Sequence, residues 1–83
     1  SISFIECKGI KRESNLDDKQ VDQWLDVRIP RLINYCKSHP DYKKLKKSFE
    51  LWITGGLTEQ SEIRIEHFKK THPKVDLIIK KPE

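Results

Sequence analysis

The sequence predicts an α/β domain with a small, mainly parallel sheet, in the order strand, helix, strand, helix, strand. Segments with the composition of strands alternate with segments of helical periodicity, and such alternation is typical of parallel strands joined by right-handed crossovers. The second and third strands are nearly continuous in apolar residues, as are strands that are covered on both faces. The length of 83 residues gives room for one small domain.

The first half of the chain predicts one strand and one long helix. Residues 1–7 are expected to form a strand, because Ile2 and Phe4 alternate with serines, and residues 8–15 form a polar loop. A helix is predicted over residues 17–38, where Asp17 and Gln20 match a capping box. Its core face is made of the residues at helical spacing, Val21, Trp24, Leu25, Ile29, Leu32, Ile33 and Cys36. Pro30 lies inside this helix and lacks a backbone N–H, so we expect a kink over residues 26–29.

The second half of the chain repeats the pattern with a shorter helix. A strand is predicted over residues 49–54 and another over residues 75–80. Between them, Thr58 is expected to cap a helix over residues 58–71 that turns Ile65 and Phe68 toward the core. The pair Gly55-Gly56 could bind an anion at the start of this helix. It lacks the spacing of a Walker motif, which favours a simple break of the strand.

Charge is distributed unevenly along the chain. Residues 37–47 carry a net charge of +4 and residues 69–83 a net charge of +3, whereas residues 13–26 carry −4. Basic segments of this kind fit a nucleic-acid partner, expected to be DNA, although a solvated lysine-rich surface would look the same. The lysines expected to contact the nucleic-acid backbone are Lys43, Lys44, Lys46, Lys47, Lys69, Lys70 and Lys74.

Cysteine content and hydropathy indicate the cellular setting. Cys7 and Cys36 are predicted to be buried free thiols, which favours an intracellular location, cytoplasmic or nucleoid-associated. No segment approaches the roughly 20 apolar residues of a membrane helix, and no membrane partner is expected. Trp24 and Trp52 lie in apolar-patterned segments and are predicted to be core residues rather than platforms for base stacking.

Glu6 and Lys8 are the residues best suited to chemistry. They are two residues apart in a strand, so their side chains point to the same side. They come at the end of that strand, where an α/β sheet usually places its ligand site. A carboxylate there can bind a divalent cation such as Mg²⁺, and the ammonium can orient water or offset phosphate charge. The alternative is an ordinary ion pair on the surface.

The segment Glu6-Cys7-Lys8-Gly9 ends an apolar strand and is followed by an amphipathic helix and a second apolar strand. This arrangement resembles the PD-(D/E)XK nucleases, which have the restriction-endonuclease-like fold. The resemblance implies catalytic roles for Glu6 and Lys8, and Mg²⁺ (or Mn²⁺) bound by Glu6 and by the backbone carbonyl of Cys7. It also makes Gln20 a candidate catalytic residue on the following helix, although a capping role explains Gln20 equally well.

The sequence departs from that family at one position. The family's first acidic residue lies on the strand before the motif, and no such strand is present here. Asp17, Asp18 and Asp22 could replace it, but acids at a helix start also stabilise the helix N-terminus. We therefore expect residues 1–83 to be a single, partial nuclease-like domain that lacks the N-terminal part of the core. An upstream segment or second chain would complete the site, and the isolated chain would be inactive.

Two other functions remain open for the same residues. The first is a non-catalytic module of this fold that binds nucleic acid or protein. The second is a small interaction domain without any role in nucleic-acid binding. Binding to DNA or RNA at low salt, and its dependence on salt, would distinguish the two.

Overall fold

The computed structural model describes residues 1–81, and it shows the alternation of strands and helices that the sequence predicts. The elements are β1 (Ile2–Lys8), α1 (Asp18–Gln23), a π-helical turn (Trp24–Arg28), α2 (Ile29–Ser38), β2 (Lys47–Ile53), α3 (Glu59–Thr71) and β3 (Val75–Lys80). The predicted bounds of the third strand are exact, and the others differ by one or two residues. None of the helices in this range is long and apolar enough to cross a membrane.

The three strands form one parallel sheet in the order β1-β2-β3. The prediction of a mainly parallel sheet is therefore confirmed. Because the strands follow chain order, two crossovers of the same hand place both helical segments on one face of the sheet. The register pairs Glu6 with Leu51 and Cys7 with Trp52, so the carboxyl ends of the strands lie together at one edge.

The helices cover the face of the sheet that carries Phe49, Leu51 and Ile53, all of which are buried. These side chains belong to a single core cluster that includes residues of both helical segments. The members contributed by the helices are Val21, Trp24, Leu25, Ile29, Ile65 and Phe68. Trp24 is only 3% exposed, which confirms its prediction as a core residue.

No helix among residues 1–81 covers the other face of the sheet. Ile5 is 53% exposed there, Trp52 41% and Ile78 37%. The expectation that the strands are covered on both faces is wrong, and so is the prediction of Trp52 as a core residue. The apolar runs look like doubly covered strands, but the chain-order topology supplies helices to one side only. Cys7 also lies exposed on this face, whereas Cys36 is buried as predicted.

The long first crossover is continuous from α1 to α2. Asp17 caps α1, but its side chain accepts from the backbone N–H of Lys19 rather than from that of Gln20, so the capping box is only partly realised. At the residues where a kink is predicted, the helix forms its π-helical turn, and the backbone N–H of Ile29 donates to the carbonyl of Trp24. Pro30, which cannot donate, follows directly and belongs to the first turn of α2.

The turn between β2 and α3 packs against the loop after β1. The backbone N–H of Gly56 donates to the carbonyl of Ser14 at 3.0 Å, which leaves it unavailable for an anion. A Cβ at Gly55 would lie 2.2 Å from the same carbonyl oxygen. The two glycines therefore let the two loops approach closely. Thr58 caps α3, as predicted, because its side chain accepts a hydrogen bond from the backbone N–H of Ser61.

Candidate functional site

Glu6 and Lys8 occupy the carboxyl end of β1, at the rim of the covered face. Their side chains point to the same side, and Lys8 Nζ lies 3.4 Å from Glu6 Oε2. The Glu6 side chain is only 17% exposed, and that of Lys8 is 26% exposed. The pair that the sequence predicts is therefore formed, and it is more enclosed than an ordinary ion pair on the surface.

A third charged residue, Arg28, joins this pair. Its Nη1 donates to Glu6 Oε1 at 2.8 Å. Arg28 is the last residue of the π-helical turn, a rare helix geometry that is frequently found at functional sites. Sequence reasoning missed Arg28, because ordinary helical spacing does not predict which side chains a π-turn brings to the sheet. Pro30 inside the helix is the signal that could have indicated it.

The cluster of Glu6, Lys8 and Arg28 does not by itself make a magnesium site. Each oxygen of the single carboxylate already has a cationic partner, whereas Mg²⁺ is usually bound through one or two carboxylates together with water or phosphate oxygens. In the described part of the chain, no group of three or more His, Cys, Asp or Glu side chains could hold a metal ion. The cluster carries a net positive charge, which suits a phosphate group better than a bare cation.

Cys7 lies between the two site residues and has two separate surroundings. Its side chain is exposed on the bare face. The backbone N–H of Ile2 donates to the carbonyl of Lys46, the residue before β2. Backbone groups alternate in direction along a strand, so the carbonyl of Cys7, five residues later, faces away from β2. Because β1 is an edge strand of the described sheet, that carbonyl has no partner strand among residues 1–81.

The helix-start residues that the sequence offers for the site point elsewhere. Gln20 is exposed, and within residues 1–81 it makes no hydrogen bond to Glu6 or Lys8. Asp18 accepts hydrogen bonds from Ser61 Oγ at 2.6 Å and Thr58 Oγ1 at 2.5 Å, and these bonds hold the pKa of its carboxyl below the ordinary value. Asp17 caps its own helix. None of these residues completes a metal site around Glu6.

Asp22 and Asp26 are held in the same way by α3. Arg64 Nη2 donates to Asp26 at 2.9 Å, and Arg64 Nε donates to Asp22 at 3.2 Å. The hydrogen bonds to Asp26 and Asp22 raise the pKa of the Arg64 guanidinium above its ordinary value, and the bonding to Asp26 has the larger effect. The acidic stretch of the sequence therefore docks α1 and its π-helical continuation onto α3, which is a structural role.

The lysines predicted to contact a nucleic-acid backbone all lie near the amino ends of the strands, opposite the end that carries Glu6 and Lys8. Lys47 begins β2 and pairs in register with Ile2, six residues before Lys8, a separation of about 20 Å along the strand. Lys69 and Lys70 lie in the last turn of α3, and Lys74 immediately precedes β3. The remaining three, Lys43, Lys44 and Lys46, precede β2. The structure thus gathers these seven lysines at a distance from Glu6 and Lys8, whereas Lys80 and Lys81 of the second basic segment lie at the same end of the sheet as Lys8.

A cavity of about 500 Å³ opens at the carboxyl edge, beside the candidate site. Its walls include Lys8, Trp52, Lys80 and Lys81. Trp52 Nε1 donates to Glu50 Oε1 at 2.9 Å, and Lys80 Nζ lies 3.4 Å from the same oxygen. The indole hydrogen bond, with a smaller contribution from Lys80, lowers the pKa of the Glu50 carboxyl.

Comparisons with protein-family models, with curated protein sequences and with solved structures found no match for this chain.

Proposed function

We propose that the chain is the metal-dependent phosphodiester-hydrolysing domain of a nuclease, with DNA as its substrate and a restriction-endonuclease-like fold. The observation that carries the proposal is the Glu6–Lys8 pair. The two side chains share one face at the carboxyl end of a parallel strand, 3.4 Å apart, where α/β sheets usually place their ligand sites. The resemblance to PD-(D/E)XK nucleases supports the same assignment.

The cluster supplies both signs of charge that phosphodiester hydrolysis requires. Lys8 and Arg28 are cations directed at one spot, and such groups stabilise the negative charge that develops on a phosphate in the transition state. Glu6 supplies one carboxylate, and the carbonyl of Cys7 supplies a neutral oxygen at the open edge. Arg28 is 49% exposed, so it can leave Glu6 for a phosphate at little cost.

The metal ligands that the described residues lack are proposed to come from an upstream segment or a second chain. Glu6 and the carbonyl of Cys7 would then be two of several ligands of Mg²⁺ or Mn²⁺. On this proposal the 83 residues alone are inactive, and the assembled protein acts on nucleic acid inside the cell.

The lysines near the amino ends of the strands fit the same substrate. At about 3.4 Å per base pair, a separation of about 20 Å corresponds to roughly six base pairs of a duplex. A duplex lying along the strands could therefore contact Lys47 and its neighbours while its scissile phosphate lies at Lys8. These lysines would contribute affinity that falls steeply with salt, and no chemistry.

Cleavage by the complete protein tests the assignment. Glu6→Gln and Lys8→Gln are each expected to reduce the rate of Mg²⁺- or Mn²⁺-dependent DNA cleavage by about a hundredfold or more. Glu62→Gln is the control, because Glu62 is an exposed glutamate of α3 that forms no ion pair with another residue of the described range. Wild-type rates for both site variants would overturn the proposal.

A second function is favoured by one specific observation. Both oxygens of Glu6 are paired with cations, which leaves neither oxygen unpaired for a metal ion, whereas Lys8 and Arg28 can still bind a phosphate. A complete protein that binds DNA with a steep salt dependence, and never cuts it with Mg²⁺ or Mn²⁺, would establish this non-catalytic module.

A further inference from the structure

The bare face of the sheet carries an exposed tryptophan on its central strand. Trp52 is 41% exposed, although a buried aromatic side chain removes some 150–250 Å² from water and dominates the energetics of cores and interfaces. Ile5 and Ile78 are exposed on the same face, on the two neighbouring strands. An exposed apolar patch of this kind marks an interaction surface.

The indole is held in a fixed position. It stands on β2, which is hydrogen-bonded on both sides by β1 and β3, and its Nε1 donates to Glu50. Its ring therefore needs little reorganisation to receive a flat partner, and a preorganised surface loses less entropy on binding.

Charged groups border this ring, because Glu50 accepts a hydrogen bond from its Nε1 and lysines lie around it. Lys80 Nζ lies 5.1 Å from the ring centroid, and Lys8 and Lys81 line the same cavity of about 500 Å³. That volume lies in the range that accommodates one small organic ligand. An apolar aromatic platform with ammonium groups at its rim fits a ligand that is both flat and anionic.

We propose that this cavity binds an unpaired nucleotide of single-stranded nucleic acid, with the base stacked on Trp52 and the phosphates at Lys8, Lys80 and Lys81. The inference rests on the proposed function only in taking nucleic acid as the ligand. Stacking needs the open face of a base, which a duplex covers with its neighbouring base pairs. The side chain of Lys80 is 55% exposed, so it can turn from the ring toward a phosphate, while Glu50, which is only 12% exposed, keeps the hydrogen bond from the Trp52 indole.

Tryptophan fluorescence measures this binding without any cleavage, when EDTA is present. The chain has two tryptophans, of which Trp24 is buried, so quenching by oligo(dT) reports on Trp52. We expect quenching by oligo(dT) but not by a duplex of the same length. Trp52→Ala should weaken oligo(dT) binding, followed by anisotropy of a labelled strand, about tenfold or more, and Trp52→Phe should retain most of the affinity.

Two control variants separate stacking from simple apolar contact and from charge. Ile5→Ala removes an exposed apolar side chain of the same face that does not line the cavity, and it should leave the affinity unchanged. Lys80→Gln should lower the slope of log Kd against log salt by about 0.7, the value for one phosphate contact on a single strand.

Three results would overturn the inference. The first is an unchanged affinity of Trp52→Ala for oligo(dT), and the second is equal quenching by the duplex. The third is protection of Trp52 from acrylamide that increases with protein concentration, because this would show that a second copy of the chain covers the face. Since EDTA prevents cleavage, a failure here leaves the role of Glu6 untouched, and failed cleavage leaves this binding untouched.

Discussion

The two faces of the sheet are built from the same strands but have opposite surroundings. On β2, Phe49, Leu51 and Ile53 are buried under the helices, whereas Trp52, between the last two of these, is 41% exposed. The difference follows from topology, because strands in chain order with crossovers of one hand receive all their helices on one side. Among residues 1–81, the covered face therefore provides stability, and the other face leaves apolar side chains exposed.

The candidate site lies where these two faces meet. Glu6 and Lys8 are on the covered side, at the rim, and Trp52 is on the bare side next to Cys7 in register. Lys8 takes part in both the charged cluster and the cavity, since it pairs with Glu6 and also lines the cavity at Trp52. A nucleic-acid strand that crosses the carboxyl edge could contact the stacking platform and the charged cluster together.

The largest expected effect on stability comes from replacing one aromatic residue on each face by alanine. Phe49 is completely buried and stacks on Phe4 with 5.5 Å between ring centroids. Phe49→Ala should lower the free energy of unfolding by about 3–5 kcal/mol, because it leaves a cavity in the core. Trp52→Ala should lower it by less, roughly 1–2 kcal/mol, because the indole is 41% exposed and its removal leaves no closed cavity. Urea unfolding of both variants measures the difference, and equal losses would show that the bare face is part of the folding core.

A smaller effect is expected at the loops that support the carboxyl edge. Gly55→Ala places a Cβ 2.2 Å from the carbonyl oxygen of Ser14, which forces two loops apart and should cost about 1–3 kcal/mol. Gly9→Ala is the matched control, because nothing lies within 4 Å of a Cβ there. Thermal unfolding should show a lower Tm for Gly55→Ala alone. A Tm unchanged from wild type would mean that the two loops are not in contact.

The smallest effect concerns the junction between the helices on the covered face. Hydrogen bonds from Ser61 and Thr58 lower the pKa of Asp18 from its ordinary value of 3.8. A lowered pKa in the folded state adds stability that is complete above the unfolded-state value and disappears as the pH falls through the folded-state value. Asp18→Asn should therefore make stability less dependent on pH below about 4. Urea midpoints measured between pH 2 and 7 in parallel with wild type would check this, and identical profiles would contradict it.

The order of the elements could be predicted because each depends on local sequence. Asp17 and Thr58 mark the helix starts, and the nearly continuous apolar residues between Val75 and Lys80 define β3. The Glu6–Lys8 pair could also be predicted, because side chains two apart on a strand share a face. These inferences need no knowledge of how the elements pack.

The remaining features depend on tertiary structure. Trp52 looks like a core residue in an apolar run, and only the position of both helices on one side exposes it. Arg28 reaches Glu6 through a π-helical turn that helical spacing does not predict. The lysines predicted to contact a nucleic-acid backbone precede β2 and β3, so a parallel sheet places them at the amino ends of the strands, away from Glu6. That last point follows from the topology and could have been inferred once a parallel sheet was predicted.

Mn²⁺ binding is the most direct test of the central claim, which is that Glu6 is one ligand of a metal site completed from outside residues 1–83. Measured by electron paramagnetic resonance, the complete protein should bind Mn²⁺, and Glu6→Gln should weaken that binding more than about tenfold. The 83 residues alone should bind none, and Glu62→Gln should behave as wild type. An affinity that is unchanged by Glu6→Gln would contradict the account.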